Sequence, residues 1–206
     1  MNRVAGLLLA AGTSSRMGRP KQLLPFGDAS LLDHALEQTL RSKLDRVVLV
    51  LGHRAQEIRE HLDTDLNHPK LTVLENAGYR KGISSSLLCG LREVEEDFDH
   101  VMVILGDMPY ITSDLINLLI RQYRASGQAL GAVRTKTGRS HPVILDRRFY
   151  PDLHRLEGDV GARDLFARFP EELCLVDPGD TYQDLDIDTP EDYEAVRNLV
   201  FRDIVD

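Results

Sequence analysis

Short apolar runs alternate with helix-like segments along most of this chain. Five runs of six to eight residues are rich in Val, Leu and Ile: 3–10, 46–52, 71–76, 100–107 and 129–135. Continuous runs of this kind are typical of strands that are covered on both faces. Apolar residues recur at helical spacing after Ser30, from Ile83 and after Thr112. The alternation predicts an α/β fold, a three-layer α/β/α sandwich around a mostly parallel, Rossmann-like sheet.

The length of the chain and its C-terminal pattern complete the expected organisation. A chain of 206 residues can build one sizeable core, so we expect a single domain over residues 1–206. Residues 134–160 mix glycine and charge with one short apolar run, which is consistent with an acceptor-side insertion, an inserted hairpin together with a lid over the site. Near the C-terminus, Thr189 is expected to cap a last helix, with Pro190 at its first position and Asp192 three residues after the cap.

Charge and hydropathy exclude several classes of partner. The formal net charge is −8, which argues against a general nucleic-acid or membrane surface. No apolar run approaches the length of a membrane span, and the N-terminus lacks the pattern of a secretion signal, so we expect a cytoplasmic protein. Cys89 and Cys174 belong to no metal or redox motif and are interpreted as reduced, partly buried thiols.

The segment after the first apolar run, which we call the first loop (residues 12–21), has an unusual composition. Gly12 follows the run directly, hydroxyl residues occupy 13–15, and Arg16, Arg19 and Lys21 are cations. Glycine lets a backbone approach an anion closely, and successive amide groups with fixed cations neutralise a polyphosphate. An ordinary solvated connection could share this composition. The GxxxxGK[ST] and GxGxxG strings are absent, which disfavours P-loop proteins and dehydrogenases.

Acidic residues follow the fourth apolar run and precede the last helix. Asp107 comes directly after residues 103–106 and could hold Mg²⁺, which prefers one or two carboxylates together with phosphate oxygens and water. Asp186 and Asp188 would share one face of an extended segment. The spacing leaves open which of the two faces a cation, and a role for these acids at helix N-termini is the alternative.

The turn at residues 78–86 precedes a helix-like segment and carries glycine and serine. Gly82 and Ser86 could offer an amide group and a hydroxyl to a ligand at a helix N-terminus. The alternative is that the serines at 84–86 only cap the helix.

The string LAAGTSSRMGRPKQLLPFG at residues 9–27 resembles the signature of the MobA-like nucleotidyltransferases, which have the nucleotide-diphospho-sugar transferase fold. Further resemblances follow in the family's order at 78–91, 106–109, 139–145, 157–166 and 186–192. One departure is Ser140, which stands where the family commonly has glycine. The resemblance therefore covers almost the whole chain.

The resemblance implies roles for particular residues. Those implied to bind the nucleotide are Leu9, Ala10, Ala11, Gly12, Thr13, Ser14, Arg16, Lys21, Gly82, Ser86 and Asp107. Among them, Arg16, Lys21 and Asp107 are the implied catalytic residues. The implied Mg²⁺ ligands are Asp107 with Asp188 or Asp186. Weaker candidates on the acceptor side are His141, Asp159 and Gly161, together with Gly158 and Arg163.

The same resemblance implies an activity. Alanine at position 11 is similar to the family branch that uses CTP, whereas the GTP-using branch usually has glycine there. The expected reaction is Mg²⁺-dependent transfer of CMP from CTP to the terminal phosphate of a molybdopterin-type acceptor, with release of pyrophosphate. A transient contact with a molybdoenzyme or its chaperone is implied as well. The alternatives are GTP as donor, a sugar or alcohol phosphate as acceptor, or a carrier that binds nucleotide or cofactor without catalysis.

Overall fold

The computed structural model describes residues 2–136, 138–179 and 182–202. The strands are β1 (Val4–Ala10), β2 (Pro25–Phe26), β3 (Ala29–Ser30), β4 (Arg46–Leu51), β5 (Leu71–Glu75), β6 (His100–Leu105), β7 (Leu130–Thr135), β8 (Gly138–Asp146) and β9 (Leu173–Val176). The α-helices are α1 (Leu31–Arg41), α2 (Ala55–His61), α3 (Ile83–Val94), α4 (Ser113–Ser126), α5 (Tyr150–Leu153), α6 (Arg163–Arg168) and α7 (Pro190–Arg202).

Seven strands form one sheet in the order β5-β4-β1-β6-β8-β7-β9, and β2 pairs with β3 separately. Neighbouring strands are parallel except at β8, which is antiparallel to both β6 and β7. The prediction of a mostly parallel α/β sheet is therefore confirmed. The parallel strands β1, β4, β5 and β6 have their carboxyl ends at one edge, which is where ligands collect in open α/β sheets.

Helices cover both faces of this sheet, as the continuous apolar strands require. Leu8 of β1 packs into a buried cluster with residues of α1, α2 and α4. Its neighbour Leu7 points to the opposite face and packs with α3, α5 and α6. The strand thus has no solvent face, and all seven of its residues are buried. This gives the three layers that the sequence predicted.

The helix starts that the sequence predicted are present with their caps. The Ser30 side chain accepts a hydrogen bond from the Asp33 amide at the start of α1, and Thr112 accepts one from Leu115 at the start of α4. At the start of α7, Asp192 accepts hydrogen bonds from the amide and the hydroxyl of Thr189. The Asp192 amide donates back to the same hydroxyl, which completes a capping box.

A third, small apolar cluster joins the C-terminal segment to the first loop. Ile187 is fully buried and packs with Leu24, Leu31 and Tyr193. The Ile187 amide also donates to the Asp107 carbonyl over 3.0 Å. These contacts bring the acids on either side of Ile187 to Asp107, just beyond the end of β6 and 80 residues before Ile187 in the sequence.

Part of residues 134–160 belongs to the main sheet. Residues 138–146 form β8, which lies between β6 and β7, and β7 and β8 pair as a hairpin. The sequence suggested a hairpin in this region, and the hairpin present belongs to the main sheet instead of forming an insertion. The elements that the sequence did not predict are β2, β3, β9, α2, α5 and α6. Among the described residues, no helix is both long and apolar enough to cross a membrane.

Candidate nucleotide site

A cavity of about 390 Å³ lies at the carboxyl ends of β1 and β6. The two strands pair in register, Leu9 opposite Leu105, so the loops that follow them leave the sheet side by side. Nine of the eleven residues implied to bind nucleotide line this cavity: Leu9, Ala10, Ala11, Gly12, Thr13, Lys21, Gly82, Ser86 and Asp107. The structure therefore brings together segments that are far apart in the sequence.

The remaining two line an adjoining cavity on the other side of the first loop. This space of about 170 Å³ is bordered by residues 12–16, by Lys21 and by Asp188. It contains Ser14 and Arg16, which complete the predicted set. Arg19 is exposed and borders neither cavity. Of the three cations of the loop, Arg16 and Lys21 therefore line the cavities and Arg19 does not.

Lys21 joins two of the predicted metal-binding carboxylates. Its Nζ atom lies 2.5 Å from Oδ2 of Asp107 and 2.8 Å from Oδ1 of Asp188. Burial of the Lys21 side chain opposes its charged form, but the two carboxylates outweigh this and raise the pKa of Lys21. Lys21 therefore carries a fixed positive charge where both cavities meet.

The other oxygen of Asp107 has an unusual environment. Oδ1 is buried and has no hydrogen-bond partner among the described residues. A buried carboxylate oxygen without a partner is costly unless a cation or a donor reaches it. This orphaned atom fits a cation ligand. Within the described part of the chain, no three His, Cys, Asp or Glu side chains group closely enough to form a metal site, so an ion here would need ligand phosphates and water.

Asp186 and Asp188 flank the buried Ile187 and differ in their surroundings. Oδ2 of Asp188 lies 2.8 Å from Nη2 of Arg16, and the hydrogen bond from Lys21 is the main cause that lowers the pKa of Asp188. Partial burial, followed by the nearby Asp107 carboxylate, raises the pKa of Asp186. Both acids are thus close to Asp107. Asp188 forms ion pairs with Arg16 and Lys21.

Gly82 joins the predicted nucleotide turn to the predicted acceptor segment. It has φ of 95°, and a Cβ at this position would overlap the Gly158 carbonyl group. The Gly158 carbonyl accepts a hydrogen bond from the Ser84 amide over 3.2 Å. Oδ1 of Asp159 accepts another from the Ile83 amide over 3.3 Å. Gly158 and Asp159, rather than the serines, therefore engage the first amide groups of α3.

The acceptor-side candidates border a neighbouring cavity. His141, Asp159 and Gly161 all line a space of about 250 Å³ whose other walls are mostly apolar. His141 also lines a more polar space of about 430 Å³ together with Asp186. Asp159 borders the main cavity as well and so lies between the two predicted substrate positions. The side chain of Arg163 is outside the described part of the chain.

Two buried amide side chains were missed at the sequence level. Gln22 is 3% exposed, and its carboxamide hydrogen-bonds to Ala10, Gly12 and Ser14. Asn76 donates to the hydroxyl groups of Ser85 and Ser86 over 2.9 and 3.1 Å. In sequence both look like ordinary loop polar residues, and only the folded arrangement shows that they support the predicted nucleotide segments.

The fold and this site define a class of protein. A mostly parallel α/β sheet carries, at its carboxyl edge, a glycine-lined cavity with a largely buried lysine that bridges two aspartates. This is the architecture of an α/β nucleotidyltransferase. The chain belongs to the MobA-like NTP transferase domain family, whose model matches residues 6–173.

Relatives within this similarity carry different functional names. Nicotine blue oxidoreductase from Paenarthrobacter nicotinovorans is 31% identical, and the match covers 91% of this chain and 93% of the relative. Molybdenum cofactor cytidylyltransferase from Escherichia coli is 26% identical, with 94% and 95% covered. These relatives thus share sequence similarity with this chain, and their names give different activities.

Solved structures agree with the family assignment. The homologue of Mycobacterium tuberculosis Rv0371c from Mycobacterium sp. strain JC1 matches with a TM-score of 0.84 and 33% identity, covering 98% of each chain. The Mycobacterium tuberculosis Rv0371c complex with manganese matches with a TM-score of 0.77 and 27% identity, covering 95% of this chain and 97% of that one. The nucleotide-diphospho-sugar transferase fold is thereby confirmed, and the protein is an enzyme of the nucleotidyltransferase class.

Proposed function

We propose that this protein is a divalent-cation-dependent cytidylyltransferase. It transfers CMP from CTP to the terminal phosphate of a molybdopterin-type acceptor and releases pyrophosphate. The observation that carries the proposal is that Lys21 forms ion pairs with both Asp107 and Asp188 at the edge of the glycine-lined cavity. The name of the cytidylyltransferase relative supports the choice of substrates.

The first loop supplies what a triphosphate requires. Arg16 and Lys21 are cations on one rim, and the backbone of Gly12 and Thr13 borders both cavities. Charge on the phosphates would be offset by these side chains and by amide donors of the loop. Because Lys21 is largely buried, its charge acts in a medium that screens it less than water does.

Asp107 is the residue that would hold the divalent ion, together with Asp186 or Asp188. The orphaned Oδ1 atom of Asp107 fits this role, and the manganese complex of Rv0371c supports a divalent ion in the family. When bound, Mg²⁺ lowers the energy of the charge that develops on the transferring phosphate. In the structure, the Lys21 ammonium group forms ion pairs with Asp107 and Asp188. If a divalent ion bound these carboxylates, the ammonium group would be free to contact the triphosphate.

The acceptor reacts through an oxygen that is already ionised. A phosphate monoester has its second pKa near 6, so one of its oxygens attacks the α-phosphorus of CTP without a dedicated base. The bond to the pyrophosphate oxygen breaks as the new phosphoanhydride forms. The protein contributes by holding the two substrates in line, and the contact of Gly82 with Gly158 couples their two positions.

The choice of donor and acceptor can be tested directly. Purified protein would be incubated with Mg²⁺, a molybdopterin-type acceptor and each of the four nucleoside triphosphates, with pyrophosphate release and product mass as readouts. We expect release with CTP only when the acceptor is present, and a product heavier by one CMP. Release with GTP, or with a sugar or alcohol phosphate instead, would support the alternative substrates. Binding of CTP without any release would support a carrier.

The oxidoreductase name of one relative calls for one additional control. The same protein would be mixed with NADH or NADPH and a reducible dye, and absorbance of the reduced nicotinamide would be followed. The proposal expects no consumption above the background without protein, whereas turnover of the nicotinamide would contradict it.

A further inference from the structure

We propose that Gln22 is a positioning residue that holds the first loop in the shape needed for a triphosphate. The inference rests on the proposed function, because the ligand it serves is the triphosphate of that reaction. The sequence predicted no role for Gln22. It lies in a single turn of 3₁₀ helix, Lys21–Leu23, directly after the loop.

The carboxamide of Gln22 is buried and forms three hydrogen bonds, one to the end of β1 and two to the first loop. Its Nε2 atom donates to the Ala10 carbonyl over 2.9 Å and to the Gly12 carbonyl over 3.3 Å. Its Oε1 atom accepts from the Ser14 hydroxyl over 3.3 Å. A carboxamide offers two donors and an acceptor, and all three functions are used here. A side chain with donors or acceptors alone could not replace it.

Ser14 extends this network to the lysine. Its Oγ atom accepts a hydrogen bond from the Lys21 amide over 3.0 Å, which closes the loop on itself. The backbone of Ser14 has φ of 53°, in the left-handed region that serine adopts only when its surroundings hold it there. Within the described part of the chain, the Ser14 hydroxyl hydrogen-bonds to the Gln22 side chain and to the Lys21 amide. The position of Lys21 therefore depends on Gln22 through Ser14.

The same contacts decide which way one amide group points. The peptide between Gly12 and Thr13 is planar and trans, so its carbonyl and its N–H face opposite sides. Because the Gly12 carbonyl faces Gln22, the Thr13 N–H faces away from it. Gln22 and Thr13 both line the main cavity, and Thr13 alone of the two also lines the smaller cavity that Ser14 and Arg16 border. The smaller cavity is bordered by the cations Arg16 and Lys21 and is therefore where we place the β- and γ-phosphates. Gln22 would thus turn the Thr13 N–H toward them.

Two substitutions of similar size separate the hydrogen bonds from the volume of the side chain. Gln22→Met keeps most of the volume and removes all three hydrogen bonds. Gln22→Glu keeps an acceptor but places a carboxylate against two carbonyl oxygens. The matched control is Gln38→Met, because the Gln38 carboxamide also makes a backbone hydrogen bond, accepting from the Ser113 amide, and Gln38 lines neither nucleotide-site cavity. Thermal unfolding and circular dichroism would report any general damage.

Calorimetric titrations with CTP and with CMP, both with Mg²⁺, give the first readout. We expect both Gln22 variants to bind CTP at least about tenfold more weakly than the wild type, since one lost hydrogen bond to a charged group is worth about that factor. Affinity for CMP, which lacks the β- and γ-phosphates, should stay within about twofold. Unchanged CTP affinity in folded variants would overturn the proposal. So would equal losses for CTP and CMP.

Hydrogen–deuterium exchange of the nucleotide-free protein gives a second readout that needs no ligand. Gln22→Met should raise exchange in peptides that span residues 11–17, and Gln38→Met should not. If the wild type bound none of the four triphosphates, the proposed function would fail, while the exchange data would still decide whether Gln22 shapes the loop. Unchanged exchange at 11–17 in both Gln22 variants would overturn that role.

Discussion

The Nζ atom of Lys21 lies 2.5 Å from Oδ2 of Asp107, the carboxylate whose other oxygen is buried without a partner. The lysine also contacts Asp188 over 2.8 Å, so its ammonium group bridges two carboxylates that a divalent ion would use. A lysine in this position competes with the ion as long as no triphosphate draws it away. The geometry thus predicts that nucleotide promotes metal binding.

Replacing Lys21 by methionine should therefore have opposite effects on the two ligands. With the competing charge removed, Mn²⁺ should bind the nucleotide-free protein more tightly by about tenfold, because like charges no longer share the site. CTP binding should weaken, since a cation of the first loop is lost. Electron paramagnetic resonance of free Mn²⁺ and calorimetry with CTP measure the two effects. Lys43→Met, at an exposed lysine, is the control, and unchanged Mn²⁺ affinity in Lys21→Met would contradict this account.

Replacing Asp107 by asparagine should abolish most of the activity without unfolding the protein. The substitution keeps the size of the side chain but removes the charge that would hold the divalent ion, and we expect turnover to fall by about 100-fold or more. Pyrophosphate release measures turnover, and circular dichroism checks the fold. Asp114→Asn, at an exposed acid in the first turn of α4, should keep wild-type rates. An Asp107→Asn variant with near wild-type turnover would rule out the metal assignment.

Gly82→Ala should weaken binding of the acceptor, because the added methyl group would displace the segment at Gly158. Backbone strain alone would not have this effect. Gly82 has φ of 95° and ψ of 177°, a conformation that is essentially confined to glycine, and Gly127 has φ of 69° and ψ of 5° in the left-handed region. Alanine is therefore strained at both positions, by roughly 1–2 kcal/mol at Gly127 and by up to about 3 kcal/mol at Gly82. Only at Gly82 would the added methyl group meet Gly158, because nothing lies within 4 Å of a Cβ at Gly127. We expect both variants to lose some thermal stability and only Gly82→Ala to raise the KM for the acceptor. Equal KM values in the two variants would refute the coupling of the two segments.

His100 predicts how stability depends on pH, away from the site. Its ring contacts the Tyr123 hydroxyl over 3.0 Å and lies 3.6 Å from Asp146. Burial lowers the pKa of His100 despite this acid, so the folded protein resists a proton that the unfolded chain accepts near pH 6.5. The unfolding free energy should fall as the pH drops below about 6.5, by up to about 1.4 kcal/mol per pH unit for this group.

Denaturant unfolding at pH 7.5 and pH 5.5 measures this loss. His100→Gln, which cannot take up the proton, should lose less stability between the two pH values than the wild type does. The same loss in both proteins would show that other groups control the pH dependence.

The sequence predicted the parts of the fold whose pattern is local. Continuous apolar runs identified β1, β4, β5, β6 and β7, and the caps at Ser30, Thr112 and Thr189 identified three helix starts. A hairpin was expected within residues 134–160, but the extent of β8 and its place between β6 and β7 were not predicted, because Pro142 interrupts its apolar run. The ladder accommodates this proline at a register shift, where Ser140 pairs with Val133 and Val143 pairs with Ala132. The position of such a bulge depends on how β8 pairs with its neighbouring strands, which the residues of β8 alone do not show.

The predicted site residues were found from motifs, whereas their connections came from the tertiary structure. Residues of the first loop and Asp107 follow strands that the sequence shows to be buried, so their approach could be expected from a parallel sheet. The buried state of Gln22 could not, since it depends on how the loop folds back on Ala10. The contact between Gly82 and Gly158 joins two loops 76 residues apart, and the residues around either glycine do not indicate it.

The most direct test of the central claim is anomalous diffraction from crystals soaked with CTP and Mn²⁺. The account predicts an anomalous peak in contact with Asp107 and with Asp186 or Asp188, the triphosphate along residues 12–16, and the Lys21 ammonium group moved from Asp107 to a phosphate oxygen. A fully occupied nucleotide whose triphosphate lies away from the first loop, or an ion bound elsewhere while Lys21 still bridges Asp107 and Asp188, would contradict it.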